Sequence, residues 1–264
     1  MLWPLPIRPG YTRPVQPERS ERMSTRAKKD APEAEVRPGE KQTITDKVYE
    51  AIRRDLMECR WPAGQTLKIR NLAAEFGVSP MPVRMALKRL GEEGALLIEE
   101  QRSARVPTLS SDRYSEYHEI AVLLEARALT RACARISQKQ IDVLIAKADQ
   151  YQADLDAGRV AGYAQRFNSI LMEIYRLGGS VALIQMIEHV WVKVAPPANA
   201  IFEIPLFATR IHAHLKEILQ AVKKGDKKAA EAGLVAALRY SERAMTLLID
   251  MEQISEPARM TGQD

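Results

Sequence analysis

The sequence predicts a mostly α protein: an N-terminal winged helix-turn-helix followed by an all-α helical bundle. Three observations predict it. Residues 69–90 read as two short helices joined by a glycine turn. Two short β-type runs follow, Leu96 to Ile98 and Ala104 to Val106. From Arg113 onward apolar residues recur at helical spacing, broken only by small or polar residues, and no stretch alternates as a sheet strand does.

Taken in order, residues 1–42 hold seven of the fifteen prolines and few aliphatics after Ile7, which predicts a disordered tail. A start of translation at Met23 would remove half of it. The opening residues are too short and too broken by proline to be a signal peptide. Val48, Ile52 and Leu56 make one apolar stripe on a helix from about Ile44 to Glu58, which Pro62-Ala63-Gly64 ends. Leu72, Ala73 and Phe76 give the next helix its apolar face. Gly77 stands where a helix end needs a residue that tolerates positive φ. Ser79 is placed as an N-cap. Pro80 takes the first helical position, where a missing N–H costs nothing. Val83, Ala86, Leu87 and Leu90 then face inward, while Arg84, Lys88 and Arg89 face outward. The link from Glu99 to Ser103 carries Arg102 between the two β-type runs. Three helices and a hairpin in that order form a winged helix-turn-helix, which lays its recognition helix, here about 79–91, in the DNA major groove.

Ser110, Ser111 and Asp112 offer caps for the first bundle helix. The periodicity predicts helices at about 112–135, 138–157, 160–176, 180–194, 205–224 and 226–252, with Pro196-Pro197 as a break. Leu123, Ile141, Leu144, Leu171, Ile174, Leu183 and Ile187 read as bundle core. The domains that follow are a tail at 1–42, a winged DNA-binding domain at 43–108, an all-helical effector-binding and dimerisation domain at 109–254, and a disordered tail at 255–264.

Composition narrows the function. Residues 1–42 hold nine Lys/Arg against six Asp/Glu, residues 43–108 eleven against nine, and the remainder nineteen against nineteen. The net charge of +5 therefore lies wholly at or before the winged segment. Cys59 and Cys133 give neither a disulfide framework nor a zinc spacing, which fits a reducing cytoplasm. No apolar run approaches the ~20 residues that a membrane span needs, so no membrane partner is expected. Gly-x-Ser-x-Gly, a phosphate loop, a dinucleotide fingerprint and His-Glu-x-x-His are all missing, so the chain does not read as an enzyme.

The run from Thr43 to Pro107 resembles the DNA-binding domain of GntR-type transcriptional regulators. The matching pieces are Val48-Tyr49, Pro62-Ala63-Gly64, Leu72-Ala73, Gly77-Val78-Ser79, Pro82-Val83-Arg84, Ala86-Leu87, Leu90 and Glu93-Gly94. The resemblance implies base and phosphate contacts from Arg70, Ser79, Met81 and Arg84. Lys88 joins them on the outward face, and the wing reaches the minor groove near Arg102. Two positions depart from the pattern. Pro80 stands where the family usually has an arginine, and Gln101 where it usually has a wing glycine. The lost arginine removes one expected DNA contact.

The helical part resembles the FCD effector domain of the FadR-like branch. Tyr117 to Arg127 looks like its first helix, Phe167 and Gly178-Gly179 match its third, and Ile218-Leu219, Ala221, Gly225-Asp226 and Ala229-Ala230 match its last pair. Most such domains bind a divalent metal through an aspartate, a histidine four residues on and two later histidines. Here those positions are Ala164, Asn168, Leu215 and Ala237, and Ala, Leu and Ala cannot ligate. His212 and His214 do not restore the set, because residues i and i+2 point about 200° apart around a helix. They read as structural side chains, as do His118 and His189. The arginine that many members use against a carboxylate effector is Ala121.

The expectation is therefore a cytoplasmic, ligand-responsive transcriptional regulator, a repressor acting as a homodimer on palindromic double-stranded DNA. It has no metal and no cofactor. Its effector, where one exists, is larger and more apolar than a simple organic acid. Tyr163, Arg166, Asn168, Tyr175 and His214 are the polar groups that would line its pocket. Two other readings stay open: a helical enzyme or scaffold with an incidental winged domain, and a metal-dependent sensor with atypical ligands.

Overall fold

The computed structural model describes residues 42–99, 102–159 and 162–260, with side chains as far as Met251. The tail read at 1–42 lies outside these residues except for Gln42, as do Gln101 of the wing and the last four residues of the C-terminal tail.

Helix α1 (Ile44–Met57) starts at a capping box: the Thr43 side chain accepts from the Asp46 amide, and the Asp46 carboxylate accepts from the Thr43 amide. Its stripe of Val48, Tyr49, Ile52 and Leu56 is buried. Strand β1 (Thr66–Lys68) leads into α2 (Ile69–Phe76), which ends at Gly77 with φ 64°. A Cβ there would meet no atom within 4 Å, so the backbone angle alone calls for glycine. Helix α3 (Pro80–Glu92) buries Val83, Ala86, Leu87 and Leu90, as its pattern predicts. Strands β2 (Leu97–Glu99) and β3 (Ser103–Arg105) form the wing, and the sheet order is β1-β3-β2, all antiparallel. Strand β1 was not expected. It is three residues long, buries only Leu67, and is recruited by β3 in the register Leu67 to Ala104. The hairpin register is displaced by one residue from the expected run: Leu96 is buried in the core, while Leu97 and Ile98 are exposed on β2.

The bundle holds α4 (Ser111–Ala132), α5 (Gln138–Asp156), α6 (Tyr163–Leu177), α7 (Val181–Phe202), α8 (Pro205–Lys223) and α9 (Lys227–Met260). Three expectations need correction. Helix α7 does not stop at Val194 but runs through Pro196-Pro197. A proline inside a helix costs about 3 kcal/mol or more. Both rings are buried, so packing against neighbouring elements offsets the two lost hydrogen bonds. Helix α9 continues to Met260, past 252 and into the segment read as a tail; Glu252, Gln253, Ala258 and Arg259 are good helix formers. Leu123 is not core: it is 72% exposed. The buried stripe of α4 is instead Tyr114, His118, Ala121 and Glu125, whose polar members disguise it as an outer face.

The two hydrophobic cores meet at α7. Val192 packs into the winged-domain core, and Cys59, which follows α1, packs into the bundle core. The Cys59 thiol donates to the Ala195 carbonyl at 3.0 Å. Arg53 on α1 pairs with Glu188 on α7 at 3.2 Å, and Arg176 on α6 reaches the same carboxylate at 3.1 Å. The Asn168 amide donates to the Met57 carbonyl at 3.0 Å. One helix thus touches both the α1 side of the winged domain and the centre of the bundle.

Candidate nucleic-acid interface and bundle cavity

The outer face of α3 is built by what its inner face buries. With Val83, Ala86, Leu87 and Leu90 fixed inward, Met81, Arg84 and Lys88 stand together at i, i+3 and i+7. Ser79, Met81, Arg84 and Lys88 are all exposed. Ser79 is the N-cap residue, but its hydroxyl makes no capping bond, which leaves it open to an outside partner. Arg70 is exposed in the first turn of α2, and Arg102 is exposed beside the wing tip. The Ile69 amide donates to the Arg102 carbonyl at 3.1 Å, so those two arginines are tethered near each other. Among the described residues, Arg70, Arg84 and Arg102 have no carboxylate within 4.0 Å. Lys88 has a loose, exposed partner in Glu92 at 3.7 Å, a contact worth little.

Arg89, also on α3, is engaged differently. Its guanidinium lies 3.8 Å from the Tyr49 ring centroid and pairs with Asp46 and Glu93. The Tyr49 hydroxyl donates to Glu93 at 2.8 Å, and burial pushes this phenol up to about 12. Arg89 therefore clamps α3 to α1 and stiffens the base on which the exposed cations stand.

The five residues named for an effector pocket do not converge. The Tyr163 hydroxyl and His212 Nδ1 share a hydrogen bond of 2.7 Å deep in the core. Arg166 pairs with Asp154 and lies over Tyr151. Tyr175 donates to Glu125 at 2.7 Å. His214 sits in an open groove beside Tyr240 and Arg243, on α8 and α9. Only Asn168 lines the cavity at the bundle centre, a space of about 60 Å³ between α4, α6, α7 and α9. The positions Ala164, Leu215 and Ala237 are buried core. No group of three His, Cys, Asp or Glu side chains that could hold a metal occurs among the described residues.

Sequence reasoning missed what the cavity does contain. Glu125 is 2% exposed and accepts from Tyr175 and from the Trp191 indole at 2.8 Å. Burial pushes its carboxyl up to about 7, and the two donors oppose that rise. His118 is 4% exposed, and its Nδ1 has no hydrogen-bond partner. Burial drives it down to about 4, which keeps the ring neutral, with Glu242 pulling weakly the other way from 4.0 Å. The available signal was spacing: Tyr114, His118, Ala121 and Glu125 fall at i, i+4, i+7 and i+11 along one face of a helix.

Residues 44–106 match the family described as bacterial regulatory proteins, gntR family, and residues 116–240 match the FCD domain. The HTH-type transcriptional regulator McbR of Escherichia coli is 26% identical over 67% of this chain and 81% of its own length. The HTH-type transcriptional repressor RspR of the same organism is 24% identical over 84% and 92%. Among solved structures, E. coli McbR/YncC has a TM-score of 0.69 at 22% identity, covering 78% of this chain and 98% of that one. A transcriptional regulator GntR from Rhodococcus sp. RHA1 has a TM-score of 0.63 at 18% identity, covering 76% and 96%. At these identities the structural likeness concerns the fold. No helix among the described residues is long and apolar enough to cross a membrane.

Proposed function

The chain belongs to the gntR family of bacterial regulatory proteins and carries an FCD domain, and from that premise we propose that it is a ligand-responsive repressor that binds a palindromic operator as a homodimer. Residues 43–108 are the DNA-binding domain, and 109–254 bind the effector and dimerise. The observation that carries the reading is the outer face of α3. A helix with a buried inner face presents Arg84, which has no carboxylate partner among the described residues, beside Ser79, Met81 and Lys88, and Arg70 and Arg102 are exposed at the flank. Arg84 reads a base edge; Arg70, Ser79, Met81 and Lys88 hold base or phosphate; Arg102 enters the minor groove.

Two half-sites need two copies of α3. Helix α4 leaves Ile120 and Leu123 exposed, and α9, packed beside it, leaves Leu247 and Met251 exposed. These side chains are the surface this reading assigns to the second copy. Effector binding changes the spacing of the two recognition helices only through different affinity for two arrangements. Helix α7, which lines the cavity and also packs on the winged domain, is the element that differs between them. The cavity volume supports a compact effector over the larger, apolar one that the missing metal ligands suggest.

Selection of duplexes from a random pool by the purified full chain tests the reading. An enriched inverted repeat, with half-site centres about one helical turn or a multiple apart, is expected. No enrichment over the starting pool would overturn it.

A further inference from the structure

The bundle cavity carries its own statement about what it accepts. Its lining includes one carboxylate, Glu125, one uncharged histidine, and no lysine or arginine. Glu125 and His118 lie two turns apart on α4, and between them the small Ala121 opens space. Asn168 and Ser241 add neutral polar groups, and the other walls are apolar or aromatic, with Phe167, Leu171 and Trp191 among them. At about 60 Å³ the cavity is well below the ~150 Å³ that admits benzene. An anion would enter a site that holds a carboxyl group and no cation to receive it.

Resting on the ligand-responsive reading above, we propose that this cavity binds a compact organic cation, an alkylamine or amidine. The Glu125 carboxylate is its counter-ion, and the free His118 nitrogen accepts from a second donor. Each Glu125 oxygen accepts one protein hydrogen bond and keeps a further lone pair. His118 Nδ1 is a buried polar atom with no hydrogen-bond partner among the described residues, and such an atom favours any guest that supplies a donor. Burial opposes ionisation of Glu125, so a bound cation stabilises the charged carboxylate inside the protein. The Trp191 ring beside it suits a positive guest as well.

The test is a thermal-shift titration of the full chain with ethylammonium and acetamidinium, against propionate and acetate at matched ionic strength. The same duplex is then titrated by anisotropy with and without the amines. A rise of about 3 °C is expected at ten times the dissociation constant for the cations only. It should be absent in Glu125→Gln and in Ala121→Leu, which fills the cavity and keeps the carboxyl group. The second variant keeps the test decisive if the first fails to fold. A shift from propionate with the amines silent, or equal shifts in wild type and Ala121→Leu, would overturn the assignment. So would silence from both series in a chain that binds its operator. Loss of all specific DNA binding would instead sink the regulator reading itself, which separates the two failures.

Discussion

The winged domain and the helical bundle differ in what their inner faces hold: one buries only apolar side chains around α3, the other buries polar groups along α4. Around α3 the inner face is wholly apolar, and the charges of Arg70, Arg84, Lys88 and Arg102 stand in solvent. Along α4 the inner face carries His118 and Glu125, and the outer face carries Ile120 and Leu123. The difference is the one expected between a surface proposed to meet a highly charged polymer and a space proposed to meet one small molecule. On the proposed reading α4 has partners on both sides: an effector within and a second copy without.

The largest expected effect breaks the apolar side of this comparison. Leu87→Ala removes a fully packed side chain beneath α3 and should cost about 2–5 kcal/mol of stability, read by urea denaturation. Because no titratable group is involved, that loss should be the same at pH 5 and pH 7.5. A loss that varies with pH would show that the α3 core is not what it holds together.

Glu125→Gln probes the polar interior and should behave differently. The folded carboxyl is raised to about 7 from an ordinary 4.5, so the folded chain binds more protons than the unfolded one between those values. Wild-type stability therefore falls as pH rises through that window, and the penalty is complete above it. The variant lacks it, so its stability relative to wild type should grow by on the order of 3 kcal/mol from pH 4.5 to 7.5. His118 acts with the opposite sign: lowered to about 4, it adds stability as pH rises from 4 to 6.5. The two trends mask each other in wild type, and the variant should expose the histidine slope. A flat difference between the two proteins across this range would contradict the buried, raised carboxyl.

These two regions were also unequally legible in the sequence. Around α3 each local signal agreed with the next: the stripe of Leu72, Ala73 and Phe76, glycine where φ is positive, serine and proline where the helix starts. Strand β1 escaped because three residues with one buried leucine carry no period; β3 recruits them. In the bundle, patterning located the helices but not their faces. Glu125 looks like a solvent residue, and Leu123 looks like core, because apolarity is a guide to burial only where no polar group is sheltered by partners such as Tyr175 and Trp191. Pro196-Pro197 reads as a stop, since propensity says nothing of the packing that overrides it.

Smaller effects sharpen the contrast. Gly77→Ala forces a left-handed residue with a Cβ and should cost about 1–2 kcal/mol, by thermal or urea unfolding. A neutral result would mean the turn relaxes freely. Lys88→Ala should leave stability within about 0.5 kcal/mol, since its partner Glu92 is as exposed as it is. It should lower the salt dependence of DNA binding by roughly one phosphate contact. An unchanged salt slope would remove Lys88 from the interface.

The central claim is that Arg84 is held out by a buried helix to read base edges. Anisotropy titrations of the selected palindrome and of a scrambled duplex, with wild type and Arg84→Ala, test it directly. Wild type should hold the palindrome at least about 10³-fold more tightly at moderate salt. Arg84→Ala should lose about 1–3 kcal/mol on the palindrome and far less on the scrambled duplex. Equal losses on both duplexes, or no loss on either, would contradict the claim.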